Sequence, residues 1–379
     1  MKIVPGGITA AKGFQANGIS CGLKRSGKKD LALIYSLRPA KAAGMFTQNR
    51  LQAAPLRVTR ENLKSGLASA IIINSGNANC STGKRGMIDA QAMTEAVAEA
   101  MKLPAKQVLV ASTGIIGKPL PIEKIKLGIN SLVSGLSSEG GIKAAEAILT
   151  TDTRVKECAV KMDISGKVVT IGAMAKGAGM IYPNLATMLV FIATDALIEK
   201  PALSRALKIA VDNSFNCITV DGCTSTNDTV LILANGLAGN AVLKSGSREF
   251  GVFSEALNWA CFKLAQEIVR DAEGATKFVK IMVGGAPSVS LARKAGFAIA
   301  NSLLFKTALF GENENWGRIV AALGQAGISF NEEKLGISFT PFKKKEICVR
   351  VDLRSGAHAA TIFTNDISYQ YIKINAGYN

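Results

Sequence analysis

The sequence predicts an α/β protein of layered sheets and helices, and three observations carry that prediction. Short apolar, β-prone runs such as Ser69–Asn74, Gln107–Ala111 and Thr229–Ala234 alternate along the chain with longer stretches of helical pattern. Hydrophobic residues make up 48% of the chain and charged residues 19%, the balance of a globular protein. At 379 residues the chain exceeds one ordinary core, so two or three packed units are expected.

In order, the glycine-rich loop Gly6–Phe14 precedes a strand, Asp30–Ser36, and Lys41–Arg50 reads as a strand edge with polar exits. Ser69–Asn74 is a short apolar run, so it reads as a strand buried on both faces. It opens into Asn74-Ser-Gly-Asn-Ala-Asn79, whose residues tolerate left-handed backbone. That loop is either a plain turn or a holder of side-chain amides beside a site. Residues 88–101 form a helix closed near Pro104. Gln107–Ala111 is a strand running into Ser112-Thr113-Gly114, where N–H groups and a hydroxyl converge as an oxyanion hole requires. Most Ser-Thr-Gly sequences are only turns. Pro121 opens a helix, and residues 142–149 form another that ends in Thr150-Thr151-Asp152-Thr153. Residues 155–175 read as a hairpin turning at Ser165-Gly166.

The stretch Lys176–Asp195 joins a glycine-punctuated loop ending in Pro183-Asn184 to an apolar strand that begins at Thr187, near the middle of the chain. Beyond it, a helix runs from Pro201 to about Asn213 and Cys217–Gly222 reads as a strand. A hydroxyl-dense loop, Cys223–Thr229, leads into the strand Thr229–Ala234. Ser254 reads as the cap of a long helix to Asp271, with Gly274 just past its end. After a strand at 278–283, Gly284-Gly285 suggests a boundary, with a smaller α+β unit over about 285–379 whose last stretch, from Tyr371, reads as a strand.

Several function classes recede on composition. No apolar run approaches the roughly 18 residues that span a bilayer, so no membrane association is expected. The start, Met1-Lys-Ile-Val-Pro-Gly-Gly, has no apolar targeting core, and a cytoplasmic protein is expected. Seven cysteines without a C-x-x-C pair read as reduced thiols, and with His358 as the only histidine no metal site is expected. The net charge of +17 suits either nucleic acid or acidic substrates on one reading and a lysine-rich solvated surface on the other. The cations are dispersed and aromatics are only 6%, which favours the solvated surface and no nucleic acid.

One histidine, in the setting Gly-Ala-His-Ala-Ala, leaves little basis for a Ser-His-Asp or Cys-His mechanism. An N-terminal threonine solves the same problem differently. Attack of Thr187 Oγ on the Ala186 carbonyl would cut the chain and free an α-amine of pKa about 7.7–8.0 beside the hydroxyl, a base suited to neutral pH. The competing reading of the same residues is a threonine that merely opens a core strand.

The run Lys176-Gly-Ala-Gly-Met-Ile-Tyr-Pro-Asn-Leu-Ala-Thr-Met-Leu189 closely resembles the self-processing signature of the ornithine acetyltransferase (glutamate N-acetyltransferase) family of arginine biosynthesis. Asn74–Asn79, Ser112–Gly117, Val220–Thr229, Glu273–Phe278, Gly311–Ile319 and Tyr371–Ala376 fall in the family's order, so the resemblance covers nearly the whole chain. It implies a layered fold of the N-terminal-nucleophile-like type. It implies cleavage at Ala186–Thr187 into fragments 1–186 and 187–379 that assemble as an α2β2 heterotetramer. It implies ping-pong transfer of acetyl from N-acetylornithine to glutamate through an ester on Thr187. By the same resemblance Thr113 and Gly114 form the oxyanion hole, and Thr150, Lys176, Thr187, Glu273 and Asn375 contact substrate. No cofactor is implied, and acetyl-CoA stays open as a co-substrate. Three positions depart from the family pattern. Cys223 stands where Asp is usual, Tyr182 replaces a commoner His, and the chain ends at Asn379 where a Thr or Ser usually touches substrate. The alternatives are an N-terminal-threonine amidase of the same fold and a non-catalytic basic binding protein.

Overall fold

The computed structural model describes residues 1–182 and 188–377. The chain runs β1 (Lys2–Val4), β2 (Phe14–Ile19), β3 (Leu31–Phe46), α1 (Ala54–Asn62), β4 (Leu67–Asn77), α2 (Gly83–Met101), β5 (Val108–Ile115), α3 (Ile122–Ser134) and α4 (Gly141–Ala147). It continues β6 (Lys156–Ile164), β7 (Lys167–Lys176), β8 (Leu189–Thr194), α5 (Lys200–Asp212), β9 (Thr229–Ala234), α6 (Arg248–Arg270) and β10 (Phe278–Ala286). The last part is α7 (Val289–Asn301), α8 (Leu303–Phe310), α9 (Gly317–Gln325), β11 (Gly336–Phe339), β12 (Glu346–Asp352), β13 (His358–Asn365) and α10 (Tyr369–Ala376).

Among the described residues, nine strands form one sheet in the order β1-β6-β7-β8-β9-β3-β4-β5, with β2 also paired to β3. The pairs β8–β9 and β4–β5 are parallel. The wholly apolar strands are explained by what lies on their two faces. Leu189 and Phe191 of β8 and Leu231 and Leu233 of β9 share one core with Ile71 and Ile73 of β4 and Leu109 of β5. The intervening Val190, Ile192, Val230 and Ile232 face α5 and α6, while Ile72, Val108 and Val110 face α2 and α3. Alternation along each strand thus splits its apolar side chains between two cores. The order is helices, sheet half, sheet half, helices, and the expected α/β layering is what folds.

A second sheet, β11-β12-β10-β13, carries α7, α8 and α9 on a separate core that includes Ile281, Ile299, Phe305 and Val349. It begins at Phe278, and Gly284 and Gly285 lie inside β10.

Four local expectations are corrected. Residues 31–46 make one strand, because a shift of register between Tyr35 and Ala40 lets β3 bend and continue from β4 onto β9. Cys217–Gly222 is not a strand. Thr219 N–H donates to the Phe363 carbonyl and Val220 N–H to that of Ile181, different partners that form no ladder. The long helix starts at Arg248, because the Ser247 hydroxyl accepts from the Phe250 N–H at 3.1 Å, and Ser254 lies inside the helix. The segment from Tyr371 is helical, capped by Ser368, whose hydroxyl accepts from the Tyr371 N–H at 3.3 Å.

Candidate active site

The ends of β5 and β7 open beside each other into a cavity of about 100 Å³. The strand β5 runs on through Ser112, Thr113 and Gly114, so these residues are part of a ladder and not a free turn. Gly114 has φ +133°, and a Cβ there would lie 2.3 Å from the Gly76 carbonyl carbon. Only glycine allows β4 and β5 to approach so closely.

Lys176 is the last residue of β7 and pairs in register with Leu189, two positions after Thr187 in the sequence. Its buried ammonium lies 3.5 Å from Thr113 Oγ1. Burial lowers the pKa of Lys176, Asp152 opposes that, and the ammonium of Lys156 adds to it.

Six of the residues expected at a site line this one cavity: Thr113, Gly114, Thr150, Lys176, Glu273 and Asn375. Thr151 lines it too, so lining does not separate the two threonines. Glu273 follows α6, and its N–H donates to the Ala178 carbonyl at 2.9 Å. Asn375 reaches in from α10, donating from Nδ2 to Glu273 Oε2 at 2.8 Å. Gly179 passes directly under that carboxylate, where a Cβ would lie 2.4 Å from Oε2. The expected nucleophile Thr187 and the cleavage-site Ala186, with Pro183 and Asn184, lie outside the described residues.

Three carboxylates that sequence reasoning passed over hold the site together. Asp152 accepts from Lys156 Nζ and from Gly177 N–H, both at 2.7 Å, and from Thr150 N–H at 3.0 Å. Burial would raise its pKa, but the ammoniums of Lys176 and Lys156 hold it below the ordinary carboxylate range. Lys156, fully buried, also pairs with Asp271. Asp221 accepts from Met180 N–H at 2.6 Å, Ile181 N–H at 3.0 Å and the Tyr371 hydroxyl at 3.3 Å. Asp228 Oδ1 accepts from Met188 N–H at 3.0 Å, while Oδ2 is buried with no hydrogen-bond partner among the described residues. Burial pushes this carboxyl well above its ordinary range. The available signal was an Asp beside loop hydroxyls in Thr150-Thr151-Asp152 and Asn227-Asp228-Thr229, which by itself fits any turn.

The expected loop Asn74–Asn79 is largely strand, since β4 continues to Asn77 paired with β5, and its amides serve as scaffolding. Asn74 Nδ2 donates to the Asn77 carbonyl, Asn77 Nδ2 to those of Lys118 and Pro119, and Asn79 Nδ2 to that of Gly86. Asn227 ties it to the hydroxyl-dense loop through the Ala78 carbonyl at 2.6 Å. Cys223 is exposed, with its N–H on Asp221, and does not line the cavity. Tyr182 packs edge-on against Phe297.

Chemically, the cavity offers one buried cation, one carboxylate steered by an amide, and hydroxyls at a strand end. Those groups suit a small zwitterionic substrate. Among the described residues no three His, Cys, Asp or Glu side chains gather as metal ligands, and no helix is long and apolar enough to cross a membrane.

Residues 15–379 match the model of the ArgJ family. The chain is 46% identical to the arginine biosynthesis bifunctional protein ArgJ of Caldanaerobacter subterraneus, with 100% of both chains covered. It is 43% identical to the protein of that name from Listeria monocytogenes, again over 100% of both. Among solved structures, it is 40% identical to the ornithine acetyltransferase of Mycobacterium tuberculosis complexed with ornithine, over 49% of this chain and 99% of that one, with a TM-score of 0.46.

Proposed function

The chain belongs to the ArgJ family, an enzyme of arginine biosynthesis, and from that premise we propose how its residues work. It is an acetyltransferase that moves the acetyl group of N-acetylornithine to glutamate. The chain first cuts itself at Ala186–Thr187, and the freed α-amine of Thr187 serves as base to its own hydroxyl. Thr187 Oγ attacks the amide carbonyl, the C–N bond breaks, and ornithine leaves as the amine. Glutamate then attacks the ester and restores Thr187. Thr113 and Gly114 stabilise the oxyanion of both tetrahedral intermediates.

Lys176 binds a substrate carboxylate, Glu273 and Asn375 meet the ammonium end, and Thr150 completes the contact. The observation that carries this reading is that Thr113, Gly114, Thr150, Lys176, Glu273 and Asn375, drawn from sequence positions 113 to 375, line one cavity. No cofactor is required, because the acyl-enzyme stores the group, and acetyl-CoA can act as a second donor. The fragments 1–186 and 187–379 pair as an α2β2 heterotetramer in the cytoplasm.

A denaturing gel with N-terminal sequencing, alongside an assay of N-acetylornithine with glutamate, tests the reading. Two bands, one starting at Thr187, and activity abolished by Thr187→Ala are expected. A single full-length band with activity indifferent to that substitution would overturn it. Free acetate without acetylglutamate would favour an amidase.

A further inference from the structure

Lys306 lies on the inner face of α8, fully buried beside Phe305 and Leu309 of the C-terminal core. Its Nζ donates to Thr364 Oγ1 at 2.9 Å, to the Asn365 carbonyl, and to Asn365 Oδ1 at 3.4 Å. An ammonium has three protons to donate, so these three oxygens match it, and none of them belongs to a carboxylate. Burial pushes its pKa down to about 7, and the charges of Asp366 and Asp221 oppose the shift. A peg for α8 does not call for such a group. An apolar side chain of similar length would hold the helix on its core without taking a charge out of water.

What the ammonium grips is the joint where β13 gives way to α10, and from that joint hydrogen bonds run to the site. Asn365 Nδ2 donates to the Asp366 carbonyl at 2.6 Å. Asp366 Oδ1 accepts from the N–H groups of Thr276 and Lys277 at 2.8 and 2.9 Å, and Oδ2 accepts from the Thr276 hydroxyl at 2.5 Å. The Ser368 hydroxyl, which caps α10, donates to the Gly274 carbonyl at 2.6 Å. Gly274 has φ +66°, and a Cβ there would lie 2.4 Å from the Tyr371 nitrogen, so the turn 273–277 sits directly on the first turn of α10. Glu273 stands at the head of that turn, and Asn375 in the last turn of that helix. The two carboxylates whose charges reach Lys306 each hold part of this frame. Asp366 fixes the turn behind Glu273, and Asp221 takes the Met180 N–H and the Tyr371 hydroxyl.

We propose that Lys306 is a positioning residue for substrate binding, fixing the joint between β13 and α10 so that Glu273 and Asn375 stand together at the ammonium end of the substrate. Lys306 does not line the catalytic cavity. It acts through Asn365 and Asp366 on the turn behind Glu273, and along the chain to Ser368 on the helix that carries Asn375. The inference rests on the reading above, in which Glu273 and Asn375 meet that ammonium. A residue that only stabilised the fold would weaken every substrate alike. One that acts through Glu273 weakens those substrates whose ammonium meets the carboxylate, and only while the carboxylate is there.

The test uses the self-processed full chain and Lys306→Met, which fills the space without charge, made in both the wild-type and the Glu273→Gln background. Lys306→Gln, whose amide keeps a donor in that space, is carried as a second variant. Kinetics at saturating glutamate use two donors: N-acetylornithine, and Nα-acetylnorvaline, which lacks only the side-chain ammonium. Lys306→Met is expected to raise KM for N-acetylornithine about tenfold with kcat within about threefold. It should change kcat/KM for Nα-acetylnorvaline by less than about twofold, and add less than about twofold to KM in the Glu273→Gln background. Equal losses on both donors, no loss on either, or the full loss repeated in the Glu273→Gln background would overturn the proposal. Where the wild type does not turn over Nα-acetylnorvaline, the Glu273→Gln comparison decides alone. Circular dichroism reports folding. If Lys306→Met is unfolded, the same comparisons are read on Lys306→Gln, and if neither variant folds, the residue serves the fold alone and the proposal falls. A wild type that turns over no donor sinks the proposed function, and calorimetry of ornithine binding then decides this inference. A variant that binds ornithine about tenfold more weakly supports it. Unchanged binding, or none to the wild type, overturns it.

Discussion

Asn375 Nδ2 donates to Glu273 Oε2 at 2.8 Å, joining residues 102 apart in the chain across the mouth of the catalytic cavity. The carboxylate is thereby aimed from both sides: Asn375 holds one oxygen, and the Glu273 N–H is fixed on the Ala178 carbonyl. Glu273→Gln keeps the shape and removes the charge that meets a substrate ammonium. KM for N-acetylornithine is expected to rise about tenfold to a hundredfold, from the loss of one charge-assisted contact, with an unchanged melting temperature. Steady-state kinetics and thermal unfolding of the same preparation check this.

Gly179→Ala tests the same contact from below. The three atoms nearest the added Cβ all belong to the end of the Glu273 side chain, so the carboxylate is what has to move. KM is expected to rise several-fold while stability stays within about 1 kcal/mol. Kinetics and urea unfolding report the two quantities separately.

Asp152→Asn strips the buried ammoniums of Lys156 and Lys176 of a shared carboxylate. Breaking a buried pair from one side costs about 3–5 kcal/mol. The wild-type dependence on acid follows from the same group. A carboxyl lowered in the fold binds fewer protons there than when unfolded. Its contribution is therefore complete above the ordinary value of 3.8 and is lost as pH falls through it toward the folded value. Unfolding curves at pH 3 to 7 are expected to show an acid limb that the variant lacks.

Asp228→Asn has the opposite sign. Burial raises the Asp228 carboxyl, so the unfolded chain gives up its proton first. Wild-type stability from this group is full below 3.8 and declines as pH rises toward the folded value. The amide keeps an oxygen for the Met188 N–H and has no proton to lose. In a Thr187→Ala background, which removes cleavage, unfolding curves are expected to show the variant gaining stability over its parent as pH rises above 3.8.

Asp221→Asn addresses the approach to the cleavage site. One carboxylate oxygen accepts from Met180 N–H and the Tyr371 hydroxyl, and the other from Ile181 N–H and Cys223 N–H. The amide can serve only one of these oxygens as acceptor. Full-length chain is expected to persist in the variant, followed by gel densitometry over time after synthesis, with no change in far-UV circular dichroism.

Periodicity made the regular elements legible. The hairpin read over residues 155–175, which folds as β6 and β7 over 156–176, and the strand at Thr229–Ala234 were legible because apolar runs and Ser165-Gly166 are local signals. The caps were harder. Ser247 and Ser254 are both serines ahead of an apolar stripe, and only the hydrogen bond to Phe250 N–H separates them. Tyr371–Ala376 carries β-prone residues, yet it lies in a helix that Ser368 caps and from which Asn375 reaches Glu273.

The sequence by itself determined the α/β class, the family and the identity of the residues expected to work together, since each of these rests on residue type and order. The tertiary structure decided what local pattern cannot encode. It brought Thr113, Gly114, Thr150, Lys176, Glu273 and Asn375 to one cavity, and it turned Asp152, Asp221 and Asp228 into the supports of that cavity. The reason is physical. A carboxylate's worth depends on which N–H groups and ammoniums surround it once water is excluded, and those partners come from strands and helices distant in the chain.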